Sequence, residues 1–289
     1  MKKYLSLIKF SHTIFAMPFA LIGFFMGIFE IQNISLNQAI LKLILVVLCM
    51  VFARSAAMSF NRFLDQDYDA KNPRTAIREI PAGIIQSKHA LLFTVFSSVA
   101  FITTTFFINL LCFYLSFVAL FVILFYSYTK RFTALCHLVL GFGLSLAPIG
   151  AYLSIVGKFD LLPLLFSFIV LFWVSGFDII YALQDEEFDK NNKLHSIPAL
   201  LGKKRALLVS RLFHFLAAIL VTFVGYYAGF GLWYSFGLIV FCGMLFYQQS
   251  IVKPNDLSRV NLAFMTANGI ASVVFSIFVI MDLFIKYKM

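Results

Sequence analysis

Charged residues are scarce in this 289-residue sequence. Only 12% of its residues are Asp, Glu, Lys or Arg, whereas 62% are hydrophobic. A soluble globular domain has roughly 45 to 50% apolar and about 25% charged residues. The composition therefore excludes an ordinary soluble domain and indicates a chain whose main solvent is lipid.

Cysteine is also scarce. The four cysteines lie far apart, each within an apolar stretch: Cys49, Cys112, Cys136 and Cys242. No two of them have the spacing of a metal-binding or redox motif. The sequence therefore offers no cysteine-based metal or redox site, and the four thiols are predicted to be packing residues.

Long apolar runs, by contrast, are abundant. A helix needs about 20 apolar residues to span a bilayer, and nine runs qualify, the first without a cleavage site. They cover residues 12–30, 39–60, 89–108, 111–129, 134–155, 162–183, 207–228, 231–248 and 262–285. Membrane β-strands are half as long and alternate in polarity, which these runs do not. The sequence predicts an all-α integral membrane protein with nine transmembrane helices.

The basic residues of this chain predict its orientation. The formal net charge is +10, but the basic residues are scattered between apolar runs, so we expect no nucleic-acid partner. If the N-terminus is cytoplasmic, 19 of the 23 Lys and Arg residues lie on the cytoplasmic side. The positive-inside rule then places the N-terminus inside and, after nine helices, the C-terminus outside.

Acidic residues concentrate in two of the predicted cytoplasmic connections. Nine of the 13 acids lie in or beside residues 61–88 and 184–206. Two stripes of polar residues at helical spacing occur there, namely Asn61/Asp65/Asp69 and Asp178/Tyr181/Asp185/Asp189. Each stripe covers about 80° of a helix face if its helix continues that far. Acids at membrane helix ends are costly and need compensation.

A divalent cation would remove the repulsion within these stripes. Oxygen ligands without His or Cys suit Mg²⁺, which takes one or two carboxylates and completes its shell with water and substrate phosphates. The basic residues nearby are natural phosphate partners: Arg74, Arg78, Lys130, Arg131, Lys190 and Lys193. Each of these cations, taken alone, also fits an inside anchor or a lipid-headgroup contact. Together the two stripes predict a Mg²⁺-diphosphate site.

The sequence at these positions resembles the UbiA family of intramembrane polyprenyltransferases over nearly the whole chain. The family pattern N-x-x-x-D-x-x-x-D is matched by Asn61, Asp65 and Asp69, and its D-x-x-x-D pattern by Asp185 and Asp189. The stretches DAKNPRTA at 69–76, YTKR at 128–131 and YALQD at 181–185 are similar to its recurring segments.

The resemblance implies a single domain over residues 1–289, with nine helices around a central cavity that is capped by the acidic loops and open to lipid. It implies that Asp65, Asp69, Asp185 and Asp189 are catalytic and, with Asn61, hold Mg²⁺ on the diphosphate of a polyprenyl donor. Ionisation of the allylic C–O bond would give a carbocation that alkylates an aromatic ring.

The aromatic acceptor is less clearly indicated. An R-x-D-K-P-I-G motif is typical of relatives that use 4-hydroxybenzoate, but residues 8–18 depart from it and resemble a bacterial branch linked to menaquinone made through futalosine. A 4-hydroxybenzoate-type acid and a hydroxynaphthoate both remain open, in quinone synthesis at the bacterial cytoplasmic membrane. Arg54 is the candidate partner of the acceptor carboxylate, with Asp178 and Tyr181 beside it. Weaker candidates are Lys9 and His12.

A transporter remains as the main alternative from another class of membrane protein. Polar groups at helix ends also build transporter sites, although the chain shows no inverted repeat and its acids lie at loop entrances. A phospholipid-headgroup transferase would need a D-G-x-x-A-R pattern, which the sequence lacks. Within the resembled family, prenylation of haem or chlorophyll side chains also remains open.

Overall fold

The computed structural model describes residues 2–8, 15–31 and 34–288, and helices dominate them. The α-helices in chain order are α1 (Lys2–Leu7), α2 (Met17–Glu30), α3 (Leu36–Leu64), α4 (Gln66–Lys71), α5 (Ser87–Ile108), α6 (Leu110–Thr129), α7 (Cys136–Val156), α8 (Leu161–Ala182), α9 (Glu186–Asn191), α10 (Ile197–Tyr227), α11 (Leu232–Ile251) and α12 (Asn268–Lys288). A 3₁₀ turn (Leu183–Asp185) precedes α9 and a π-helix (Leu262–Ala267) precedes α12. The described residues contain no strand beyond an isolated bridge, so the all-α prediction is confirmed.

Several helices are long and apolar enough to cross a bilayer. Within the described residues there are eight: Leu36–Leu64, Ser87–Ile108, Leu110–Thr129, Cys136–Val156, Leu161–Asn191, Ile197–Tyr227, Leu232–Ile251 and Leu262–Tyr287. The chain is thus a multi-pass membrane protein. Helix α2 is apolar but has 14 residues, fewer than the about 20 that a span requires. Residues 9–14 before it lie outside the described part, so the count of nine spans stays a prediction.

Local side-chain chemistry sets the ends of these helices. Ser35 and Gln38 form a reciprocal capping box at the start of α3, and the Asn109 side chain accepts the Cys112 N–H at 2.8 Å to begin α6. Helix α10 begins at Ile197, ten residues before the predicted apolar run, because the Ser196 hydroxyl caps its first turn. The early start is kinked at Gly202, whose φ of 77° favours glycine.

Helix α8 forms the centre of the bundle. Its side chains Phe166, Ile169, Val170 and Trp173 are fully buried, and they belong to a core with residues of α2, α7, α10, α11 and α12. Gly23 of α2 permits close packing on α7, because a Cβ there would lie 1.9 Å from the Pro148 carbonyl oxygen. Small residues at helix contacts are typical of membrane bundles. This packing surrounds α8, whose polar end carries Asp178 and Tyr181.

Both acidic stripes lie at helix interruptions rather than on unbroken helices. Helix α3 ends at Leu64 and α4 begins at Gln66, while α8 is followed by the 3₁₀ turn and then by α9. Helical hydrogen bonding nevertheless passes through the first break, since the Asp65 N–H donates to the Asn61 carbonyl (2.9 Å) and the Asp69 N–H to the Asp65 carbonyl (2.7 Å). The condition that each helix continues through its stripe is therefore not met. The residues of the first stripe nevertheless keep their helical spacing.

Candidate active site

The two acidic segments meet around a polar cavity of about 160 Å³. The predicted site residues that line it are Asn61, Asp65, Asp69, Arg74, Arg78, Lys130, Arg131, Asp178, Tyr181 and Asp185. They come from α3, α4, the loop after α4, the end of α6 and the end of α8. The structure therefore brings together in space two sequence segments that lie more than 100 residues apart.

Each motif aspartate is paired with one predicted phosphate-binding cation. Arg78 Nη1 lies 2.6 Å from Asp69, Lys130 Nζ 2.7 Å from Asp189 and Arg131 Nη2 2.9 Å from Asp65. Arg74 binds both oxygens of Asp185, with its Nε 3.0 Å from Oδ1. Four acids and four cations are interleaved, which offsets like-charge repulsion on both sides.

Neutral side chains orient these carboxylates. Asn61 donates to Asp65 Oδ2 at 3.0 Å, and Asn72 donates to Asp185 Oδ1 at 3.0 Å. The Ser196 hydroxyl donates to Asp189 Oδ2 at 2.9 Å. Sequence reasoning assigned no role to Asn72 or Ser196, although Asn72 lies within the DAKNPRTA stretch and that position was the available signal.

The ion pairs also set the charge states around the polar cavity. Burial raises the pKa of Asp65, which Arg131 opposes and Asp69 reinforces. Burial acts to lower the pKa of Arg74, but its hydrogen bond to Asp185 outweighs this and the pKa is raised. The pKa of Lys130 is likewise raised, because Asp189 outweighs the effect of burial. Arg74 and Lys130 therefore keep their charge at neutral pH.

The residues of the polar cavity fit Mg²⁺. All the predicted ligands are oxygen donors, which Mg²⁺ prefers, and the buried Asp69 Oδ2 has no hydrogen-bond partner among the described residues. Among the described residues, no three His, Cys, Asp or Glu side chains lie close enough together to bind a metal ion by themselves. This arrangement suits an ion that takes only one or two carboxylates and shares the rest of its shell with phosphate and water.

A second, largely apolar cavity of about 1090 Å³ adjoins the polar one. It extends along α3, α6 and α7 to Leu153 and Phe159, at the helix ends farthest from the acidic segments. Six residues line both cavities: Asn61, Arg74, Arg78, Tyr126, Asp178 and Tyr181. The two cavities therefore lie side by side, one in charged and the other in mainly apolar surroundings.

The junction of the two cavities holds further polar contacts. Arg74 Nη1 donates to the Tyr181 hydroxyl at 2.9 Å, and the Tyr181 ring lies 4.3 Å from that of Phe264 between centroids. Asp178 Oδ2 lies 2.7 Å from His137 Nδ1. Sequence reasoning missed His137, because it lies on a different helix and has no motif spacing to Asp178.

The remaining predicted site residues lie elsewhere. Arg54 lines the larger cavity. Asp189 lines neither cavity but is buried against Lys130. Lys193 is on an exposed loop and lines neither cavity, so the structure does not bring it to the cluster and its role stays a prediction. Lys9 and His12 lie outside the described residues.

Comparison with known proteins assigns the chain to a family. The profile of the UbiA prenyltransferase family matches residues 16–270. The chain is 29% identical over 241 residues to a 4-hydroxybenzoate octaprenyltransferase of Francisella tularensis subsp. mediasiatica, covering 82% of this chain and 84% of that protein.

Solved structures share the fold. A UbiA homolog from Aeropyrum pernix K1 superposes with a TM-score of 0.79 at 27% identity, over 95% of this chain and 98% of that one. A UbiA homolog from Archaeoglobus fulgidus bound to GPP and Mg²⁺ gives 0.71 at 22% identity, over 97% and 99%. The chain belongs to the UbiA prenyltransferase family and is an enzyme of the prenyltransferase class.

Proposed function

We propose that this enzyme transfers a polyprenyl group from a polyprenyl diphosphate to an aromatic acid of the 4-hydroxybenzoate type. One observation carries the proposal: the polar cavity of paired acids and cations shares six lining residues with a large, mainly apolar cavity. A polyprenyl diphosphate has the same division into a charged head and an apolar tail. The name of the Francisella relative supports an aromatic acid as the acceptor.

In this proposal the polar cavity holds the diphosphate. Arg74, Arg78, Lys130 and Arg131 contribute positive charge there, and guanidinium groups bind phosphate oxygens through paired hydrogen bonds. The apolar cavity of about 1090 Å³ receives the isoprenoid tail; pockets for drug-sized molecules have roughly 300 to 1,000 Å³. The reactive C1 of the donor then lies at the junction of the two cavities.

Mg²⁺ would bind in the same polar cavity. Asn61, Asp65, Asp69 and Asp185 line this cavity and would hold the ion together with the diphosphate oxygens, with Asp189, buried against Lys130, as a further predicted ligand. The buried Asp69 Oδ2 supports this, because it has no hydrogen-bond partner among the described residues and Arg62 Nη1 approaches it only to 3.8 Å. When bound, the ion supplies charge stabilisation for the departing diphosphate. The Archaeoglobus homolog bound to GPP and Mg²⁺ supports this assignment.

The acceptor enters the junction from the side of the larger cavity. Arg54 is placed in that cavity and would bind the acceptor carboxylate, as arginine does elsewhere. Tyr181 would pack against the acceptor ring, since it lies beside Phe264 and faces both cavities. In this arrangement the ring carbon that is alkylated faces C1 of the donor.

The proposal includes a place for the enzyme in the cell. The bacterial relative supports a bacterial cytoplasmic membrane. The excess of Lys and Arg on the side of the acidic segments supports an N-terminus inside and an active site at the cytoplasmic face. Both a charged donor head and a small aromatic acid are then supplied from the cytoplasm.

A direct assay tests the proposed function. Purified protein with Mg²⁺ and geranyl diphosphate is incubated with a panel of hydroxybenzoates and hydroxynaphthoates, and mass spectrometry detects prenylated rings while diphosphate release is counted. We expect a prenylated hydroxybenzoate, and no product once EDTA removes Mg²⁺. Transport of substrate without turnover would contradict the proposal, whereas prenylation of the hydroxynaphthoates alone would reassign the acceptor.

A further inference from the structure

Asp178 differs from the four motif aspartates in its partner. Those four are each paired with Arg or Lys, whereas Asp178 is paired with His137, Nδ1 to Oδ2, at 2.7 Å. It is also the one described acidic residue that lines both the polar and the apolar cavity. Its ion-pair partner is thus an imidazole, and it lies where the two reactants would meet in the proposed function.

The surroundings of His137 fix its tautomer. The ring is buried in α7, and the backbone N–H of Ile197 donates to its Nε2 at 3.3 Å. A nitrogen that accepts a hydrogen bond carries no proton, so the imidazole proton is on Nδ1 and is donated to Asp178. The contact with His137 Nδ1 engages Oδ2 of Asp178 and leaves Oδ1 for a ligand.

The chemistry of ring alkylation requires a base at this junction. The C1–O bond of the donor breaks and its electron pair leaves with the diphosphate. A ring carbon ortho to the acceptor hydroxyl bonds to C1, and the same carbon must then lose its hydrogen as a proton so that the C–H electrons restore aromaticity. A general base must lie within hydrogen-bonding reach of the proton that it takes.

We propose that Asp178 is the base that accepts the ring proton, and that His137 is a positioning residue that holds the carboxylate toward the junction. The proton passes to Asp178 Oδ1 and then to water in the polar cavity. The inference rests on the proposed function, because it assumes an aromatic acceptor. The motif aspartates remain committed to the donor diphosphate.

Asp178→Asn keeps the size of the side chain and removes its basicity. General bases typically contribute about 10²- to 10⁴-fold, so we expect a kcat loss in that range with an unchanged KM for geranyl diphosphate. With an acceptor deuterated ortho to the hydroxyl, the variant should show a primary isotope effect that the wild type lacks. Asp160→Asn is the matched control, since Asp160 caps the start of the same helix and Asn caps equally well.

Donor chemistry without acceptor provides the second measurement. Asp178→Asn should retain the slow Mg²⁺-dependent release of diphosphate from geranyl diphosphate alone, which also shows that it is folded. Equal loss of this release and of prenylation would place Asp178 on the donor and overturn the inference. So would a variant with normal kcat. Wild-type protein that alkylates no acceptor contradicts the proposed function, and this inference falls with it.

Paired substitutions test the role of His137. Asn can place a side-chain N–H near the Nδ1 position, whereas Leu cannot. We expect His137→Leu to lose about tenfold or more in kcat at constant KM for the donor, and His137→Asn to recover much of that loss. Equal activity of the two variants would show that the hydrogen bond to Asp178 has no positioning role.

Discussion

At the scale of single residues, the motif aspartates form ion pairs with cations that could also bind a phosphate group. Asp65 is paired with Arg131 and Asp185 with Arg74. In the proposed function, a diphosphate that attracts the two arginines would leave these carboxylates free to bind a metal ion.

Removing one carboxylate from either stripe should stop turnover. Asp65→Asn and Asp185→Asn each retain the shape of the side chain but lose the charge that a metal ion requires. Loss of a group that stabilises the departing charge costs about 10²-fold or more in kcat, and steady-state kinetics with geranyl diphosphate measures it.

The chain offers matched controls for these two variants. Asp67→Asn and Glu187→Gln remove exposed acids from the same two segments and should leave kcat within about twofold, as surface changes usually do. A normal kcat in Asp65→Asn or Asp185→Asn would contradict the two-segment site.

Arg74 connects the two segments and cannot be replaced by Lys. Its guanidinium binds both oxygens of Asp185 and the hydroxyl of Tyr181, whereas an ammonium lacks that fork. A hydrogen bond to a charged group is worth about 1.5 to 3 kcal/mol, so Arg74→Lys should raise the KM for the donor by about tenfold or more. Lys71→Ala, which changes an exposed cation nearby, should not. Equal KM values would show that Arg74 serves the fold alone.

The residues of the site were predictable to different degrees. Asn61, Asp65 and Asp69 follow from spacing along one chain segment, and the structure places them together. His137 and Ser196 were not predictable, because their roles depend on contacts that only the folded chain makes. Asn72 had one sequence signal, its position within the DAKNPRTA stretch. Lys193 was predicted to bind diphosphate because it follows Asp189 closely in the sequence. The fold nevertheless places it outside the polar cavity.

At the scale of helices, the apolar runs predicted which helices exist better than they predicted where each helix begins and ends. The runs identified helices α2 to α12 except the short α4 and α9, which are too polar and too brief for that signal. The early start of α10 follows from a serine cap and a glycine kink rather than from hydropathy. The helix break at Asp65 could not be predicted from residue spacing, because the helical spacing continues across it. The break near Asp185 was not predicted either.

One buried amide, Asn268, joins the π-helix to two other helices. Asn268 accepts from Trp173 Nε1 at 2.9 Å and from Gln248 at 2.7 Å, and donates to the Phe264 carbonyl at 2.9 Å. It thereby ties α8 and α11 to the segment that carries Phe264 into the larger cavity. π-helical turns often occur at functional sites.

Asn268→Leu should destabilise this part of the bundle. It leaves the Trp173 and Gln248 donors without their acceptor, and each buried donor left unpaired costs about 1 to 3 kcal/mol. We expect a lower thermal unfolding temperature in detergent, with Ser272→Ala one turn away as a milder control. An unchanged unfolding temperature would show that water or another group satisfies both donors.

At the scale of the whole molecule, the bundle separates two kinds of surface. Large apolar side chains such as Phe107, Phe121 and Phe246 are exposed on its outside, where lipid covers them, while the charged cluster is enclosed at one end. Exposed phenylalanine is therefore consistent with a stable fold in a bilayer and not in water. The direction in which that end faces is set by charge outside the apolar segments.

Thiol labelling tests the orientation that the basic residues predict. Lys193→Cys lies on the side of the acidic segments and Tyr226→Cys near the opposite end of α10, where Tyr226 is 89% exposed. With Cys49, Cys112, Cys136 and Cys242 replaced by serine or alanine, an impermeant maleimide added to intact cells should label Tyr226→Cys and not Lys193→Cys. Opening the cells should expose both. The reverse pattern in intact cells would place the charged cavity outside, and the cytoplasmic supply of diphosphate donor that the proposed function requires would then be contradicted.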